Sequence, residues 1–120
     1  MVIGLVQIRV IRAGWRATRD RGSRETGAAV TVPATALAQA IRRPERQARL
    51  ARLIRQPGTD VISLDRVDAT STGRLLAASG TSDIADAHVV ICARRARQPV
   101  VTSDPGDLHA LDPVISLITI

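Results

Sequence analysis

Apolar positions along the chain switch repeatedly between strand-like runs and helical spacing, and the switches divide it into elements. VIGLVQIRV (2–10) is an apolar run of strand type. Residues 12–25 are polar, rich in Arg and weakly helical, with Trp15 as their inward anchor. AAVTVP (28–33) predicts a short β-branched strand stopped by Pro33, and ATALAQAIRR (34–43) a helix by its Ala and Leu content. Pro44 permits a fresh first turn, so PERQARLARLIRQ (44–56) predicts a second helix that ends at Pro57-Gly58. DVISL (60–64) is the next strand, followed by a helix from about Asp65 to Ser79 that Gly80 terminates. Residues 82–97 predict a helix with Ile84, Ala87 and Ile91 on one side and Val90 beside them. QPVVTSD (98–104) is a strand with a polar exit, Asp-Pro-Gly-Asp a turn or helix start, LHAL a short helix and VISLITI (114–120) a closing strand. Apolar strands separated by helices predict an α/β fold, with a mainly parallel sheet covered on both faces.

With 120 residues, one domain is expected, with room for a core but little for a second unit. No run reaches the apolar length of a membrane span. The start, MVIGLVQIRVIRAG, is interrupted by Arg9 and Arg12 and has no charged region before its apolar part, which favours a buried strand over a signal peptide. A single cysteine, Cys92, excludes an internal disulfide and supplies no metal-site spacing, so a cytoplasmic setting is the expectation. All 17 basic residues are Arg, a bias that GC-rich coding alone produces, so their placement says more than their type. Residues 1–60 carry 12 Arg against four acids, whereas residues 61–120 carry five Arg against seven Asp. A basic half beside an acidic half suits an anionic polymer together with a cation site, and it equally suits an ordinary solvated surface.

The acids are patterned. Thr-Ser-Asp opens two D-x-x-D clusters, Asp83 with Asp86 and Asp104 with Asp107. In a parallel α/β fold the loops at the carboxyl ends of the strands build the site, and Asp104 follows Val100–Ser103 directly at that edge. The helix over 82–97 runs back antiparallel to the strand it feeds, so its first turn, with Asp83 and Asp86 on one face, approaches the same edge. Four carboxylates at close range require protons or a cation, and an oxygen-only set suits Mg²⁺ or Mn²⁺. The plain alternative is capping: Ser82 or Asp83 is a good N-cap, and Asp-Pro-Gly-Asp is a common turn.

Taken with the stretch VTVPATALAQAIRRPERQARLARLI, the segment LLAASGTSDIADAHVVICARRARQPVVTSDPGDLHAL resembles the PIN-domain nucleases, and most closely actinobacterial members related to VapC-type toxins of toxin–antitoxin pairs. The resemblance covers about residues 28–120, and its most specific part is D-x-x-D-A followed by V-V-T-S-D-x-x-D-L. It implies a three-layer α/β/α sandwich with a mainly parallel sheet of about five strands, and Mg²⁺- or Mn²⁺-dependent cleavage of RNA phosphodiester bonds. Carried over by residue, Asp86 matches the family's helix acid and Asp104 the acid after the fourth strand. Asp107 is an auxiliary acid, and Asp83 either binds metal or caps its helix. The resemblance also implies an antitoxin-like protein partner and a homodimer. In two places the chain departs from the pattern. Family members end their first strand in an essential aspartate, and MVIGLVQIRV contains no acid. Where many relatives carry a Glu after V-P-A, this chain has Gln39, an auxiliary oxygen donor without charge. A degenerate member that binds RNA or a partner without cleaving it, or a chain with an altered start or reading frame, would each account for the missing acid. A small α/β nucleotide-binding or regulatory domain whose aspartates are only caps is the reading from another class.

Arg42, Arg43, Arg46, Arg49, Arg52 and Arg55 form a broad basic band suited to RNA phosphates, to an acidic antitoxin segment, or to plain solvation. Arg94, Arg95 and Arg97 gather at a helix C-terminus, where the dipole favours them. His88 and His109 are expected to be structural or incidental, and Cys92 a packed thiol. There is no Gly-rich phosphate loop, no convincing serine nucleophile and no aromatic platform for bases.

Overall fold

A computed structural model describes residues 2–3, 30–42, 47–102 and 104–119 of the chain. The strands are β1 (Val2–Ile3), β2 (Val30–Pro33), β3 (Thr59–Ile62), β4 (Val100–Thr102) and β5 (Leu117–Thr119). The helices are α1 (Ala34–Ile41), α2 (Gln47–Ile54), α3 (Arg66–Ser79), α4 (Ile84–Ala96) and α5 (Pro105–Leu111). The architecture is α/β with parallel pairing. β2 pairs with β3 from Val30↔Thr59 to Pro33↔Ile62, and β4 with β5 from Val100↔Leu117 to Thr102↔Thr119. These two short ladders are joined through the two residues of β1, which pair with Thr31 on one side and with Val100 and Val101 on the other. The strand order is therefore β3-β2-β1-β4-β5. The remainder of the expected first strand (2–10) and the Arg-rich stretch around Trp15 lie outside the described residues.

Local chemistry explains the helix boundaries. The carboxylate of Asp65 accepts the Asp68 N–H at 2.8 Å and caps α3, and Gly80 ends it in the left-handed region at φ 72° with its N–H on the Leu76 carbonyl. Asp83 caps α4 in the same way, accepting the Asp86 N–H at 2.9 Å. Pro105 begins α5, where its fixed φ is already helical and its missing N–H costs nothing.

Ala and Val dominate the core: Ala36, Ala87, Val89, Val90, Ala93 and Val100 pack with Cys92, Leu108 and Leu111. Small side chains let helices approach closely, and α4 supplies most of them. Eight of its 13 residues are buried, so it is enclosed by α3, α1, α5 and the strands rather than lying on one surface. A buried bond from Thr31 Oγ1 to Gln98 Oε1, 3.3 Å, ties β2 to the entry of β4. Among the described residues no single helix is long and apolar enough to cross a membrane.

Candidate functional site

Three helices in this chain begin with the spacing D-x-x-D: Asp65 and Asp68 at α3, Asp83 and Asp86 at α4, and Asp104 and Asp107 at α5. The sequence reading singled out the last two pairs and missed the first. In the first two, the leading aspartate caps the helix through the backbone N–H of the second. The third pair departs from this. Asp104 occupies the N-cap position, yet its side chain makes no capping bond; its own N–H donates instead to Thr102 Oγ1 at 3.0 Å. The capping account thus holds for Asp83 and fails for Asp104, whose exposed carboxylate has no part in closing the helix.

The turn after β4 and the first turn of α4 come together, as antiparallel packing of α4 on its strand requires. Asp86 is only 5% exposed. Burial, and then the neighbouring charges of Asp83, Asp107 and Asp104, push its carboxyl up from 3.8 to about 6. Asp107 is raised as well, mainly by the charge of Asp104 and a side-chain hydrogen bond with it, with a smaller contribution from Asp83. Among the described residues none of these four carboxylates has an Arg or His partner in an ion pair. The group is a concentration of negative charge around one buried oxygen pair, in a protein of net charge +6.

The other predicted residues are more scattered. Gln39 is half-buried on α1, and among the described residues no hydrogen bond links it to the carboxylates. Arg42 is exposed in the turn after α1, and Arg52 and Arg55 are exposed at the end of α2. Arg43 and Arg46 lie outside the described residues, and Arg49 is placed on α2 by its backbone alone. His109 is exposed in the last turn of α5.

A second polar cluster lies on the other side of α4. His88 is fully buried, with Nδ1 2.7 Å from Thr35 Oγ1 and Nε2 3.0 Å from Asp68 Oδ2. Arg95 clamps the same carboxylate with two bonds, 2.6 Å to Oδ1 and 3.1 Å to Oδ2. The Arg95 hydrogen bonds, supported by the one to His88, outweigh burial and hold the Asp68 carboxyl below the usual range. A proton on Nε2 satisfies both ring contacts, with Nε2–H donating to Asp68 and the Thr35 hydroxyl donating to Nδ1. Cys92 lies one turn beyond His88, and burial pushes its thiol up to about 12. Asp68, His88 and Cys92 offer an oxygen, a nitrogen and a sulfur all within 4.8 Å of one another, a group that could hold a metal ion. His88 is thus structural in its hydrogen bonding and Cys92 a packed core thiol, as expected, and the structure adds Asp68 as the neighbour they share. The visible signal was the spacing of His88, Cys92 and Arg95 on one face of a helix; their partner is 20 residues upstream on α3. Arg94 and Arg95 likewise serve more than the helix dipole, since Arg94 pairs with Asp112 at 2.9 Å.

No protein-family model, curated protein or solved structure matches this chain.

Proposed function

We propose that the chain is a PIN-like, metal-dependent endoribonuclease domain of VapC type, folded as a three-layer α/β/α sandwich, with its site at the carboxyl end of β4. The observation that carries this reading is the grouping of Asp83, Asp86, Asp104 and Asp107 at one edge with no ion-paired cationic side chain among the described residues, Asp86 being buried among them. An uncompensated buried carboxylate is costly, and such a cluster fits a hard divalent cation better than it fits helix capping. Mg²⁺ or Mn²⁺ would be held by Asp86 and Asp104, with Asp107 beside them. Asp83 contributes field more than coordination, because one of its oxygens is committed to the Asp86 N–H. When bound, such an ion supplies activated water and stabilises the leaving oxygen of a phosphodiester. The protein's own part is to keep Asp86 on a rigid helix turn and Asp104 free of its cap. Arg42, Arg52 and Arg55 are exposed cations available to RNA phosphates, or to the acidic segment of an antitoxin-like partner.

A second reading is favoured by one observation: MVIGLVQIRV brings no acid to the strand where the family places one. On that reading the domain binds RNA or a protein partner and does not cleave. The test is cleavage of single-stranded RNA in Mg²⁺ or Mn²⁺. Loss of cleavage in Asp86→Asn and in Asp104→Asn supports the nuclease. Salt-sensitive binding without cleavage, indifferent to both substitutions, supports the binding domain and overturns the nuclease.

A further inference from the structure

Helix α4 places His88, Cys92 and Arg95 between about 180° and 240° around its axis from Asp86, so the acidic cluster and the Asp68 cluster are separated by the body of the helix. We propose that Asp68, His88 and Cys92 are a second metal centre, selective for a borderline-soft divalent ion of the Zn²⁺ or Co²⁺ kind and closed by Arg95.

Four observations carry the assignment. The donor set is one carboxylate, one imidazole and one thiol, which favours Zn²⁺ over Mg²⁺. The donors already lie within 4.8 Å of one another, and a tetrahedral Zn²⁺ site holds such donors about 3.3–3.7 Å apart, so small side-chain adjustments suffice. An outer partner is in place, because Thr35 Oγ1 sits 2.7 Å from His88 Nδ1 and can accept its proton once Nε2 binds an ion. Finally, Thr72, 2% exposed and one turn beyond Asp68 on α3, has a buried hydroxyl without a hydrogen-bond partner among the described residues. A water in the fourth coordination position would give a polar group on that face something to bind.

Arg95 occupies the charge role of the cation in the metal-free arrangement. Its side chain is 52% exposed, so it can release Asp68 into the site and take its own charge to water. Entry of the ion is balanced by loss of the Cys92 thiol proton to solvent and transfer of the His88 proton from Nε2 to Nδ1. The bound centre then joins a dication to one carboxylate and one thiolate, leaving no net charge in the core.

The test is titration of the metal-free full chain with Co²⁺ followed by absorbance. The expected result is a thiolate-to-cobalt charge-transfer band that saturates at one ion per chain and is bleached by Zn²⁺. Cys92→Ser should abolish that band, while Asp86→Asn and Asp104→Asn should leave it intact, because an oxygen-only site cannot produce it. Arg95→Met, which removes the hydrogen bonds that compete with the ion for Asp68, should tighten Co²⁺ binding by about tenfold. Since Cys92 is a core position, the wild-type chain also gives a readout that needs no substitution: Zn²⁺ should bleach the cobalt band and Mg²⁺ should leave it intact. Absence of the band in both wild type and Arg95→Met, or its survival in Cys92→Ser, would overturn the second centre. An unchanged affinity in Arg95→Met would overturn the closing role of Arg95.

Discussion

Asp68 and Asp86 form a natural experiment within one chain. Each is the third residue after a capping aspartate, each gives its N–H to that cap, and each is buried. Their charge states nevertheless respond to opposite forces: Arg95 stabilises the Asp68 carboxylate, whereas burial and neighbouring acids disfavour that of Asp86. The stability consequences are opposite in sign. The Asp68 contribution is present above the unfolded carboxyl value of 3.8 and is lost as pH falls through its depressed folded value. For Asp86 the folded protein holds the proton more tightly, so its contribution is complete below 3.8 and is lost as pH rises through about 6. Asp86→Asn should therefore stabilise the metal-free chain at pH 7, by at most roughly 3 kcal/mol, with the gain vanishing below pH 4. Urea unfolding at the two pH values checks this, and a destabilised Asp86→Asn at pH 7 would contradict it. Spacing alone shows that both residues lie in a first helical turn; it does not show which one meets an Arg, because that Arg arrives from 27 residues away.

At the scale of elements, helix ends were the most legible feature. Pro33, Asp65, Gly80 and Pro105 all mark boundaries through local chemistry, and local chemistry is what a sequence displays directly. Strand partners depend on contacts between distant segments, so the register of β2 against β3 had no counterpart in the pattern. One helix end departs from the usual residue choice. α4 terminates at Arg97 with φ 54°, a left-handed conformation that costs a residue with a Cβ about 1 kcal/mol relative to Gly. Gly80 adopts the same region with open space around the position of a Cβ. Arg97→Gly should raise the unfolding free energy by about 1 kcal/mol and Gly80→Ala should lower it by a similar amount, as thermal or urea unfolding would report. A large loss in Arg97→Gly would mean that its side chain does more than end a helix.

For the whole molecule, alternation of strands and helices was enough to indicate an α/β fold and to bring the Asp83–Asp86 and Asp104–Asp107 pairs to one edge. The Asp68 cluster was not legible, because it joins three helices through Thr35, Asp68 and His88, and no periodicity links residues 35, 68 and 88. The acidic edge makes a global prediction: Mg²⁺ should raise the melting temperature of the chain more at pH 7 than at pH 5, since protons and the ion compete for the same carboxylates. Equal shifts at both pH values would place the ion elsewhere. The position of α4 has a further consequence, for mutational tolerance. Ala85, Ala87 and Ala93 are buried on a helix that also carries Asp86 on one side and His88 on the other. A larger side chain at any of them would push that turn away from a neighbour and disturb two polar clusters together. In a saturation library residues 85–93 should therefore accept the fewest substitutions of any helical segment, and drift in this protein's descendants would accumulate everywhere before it reached them.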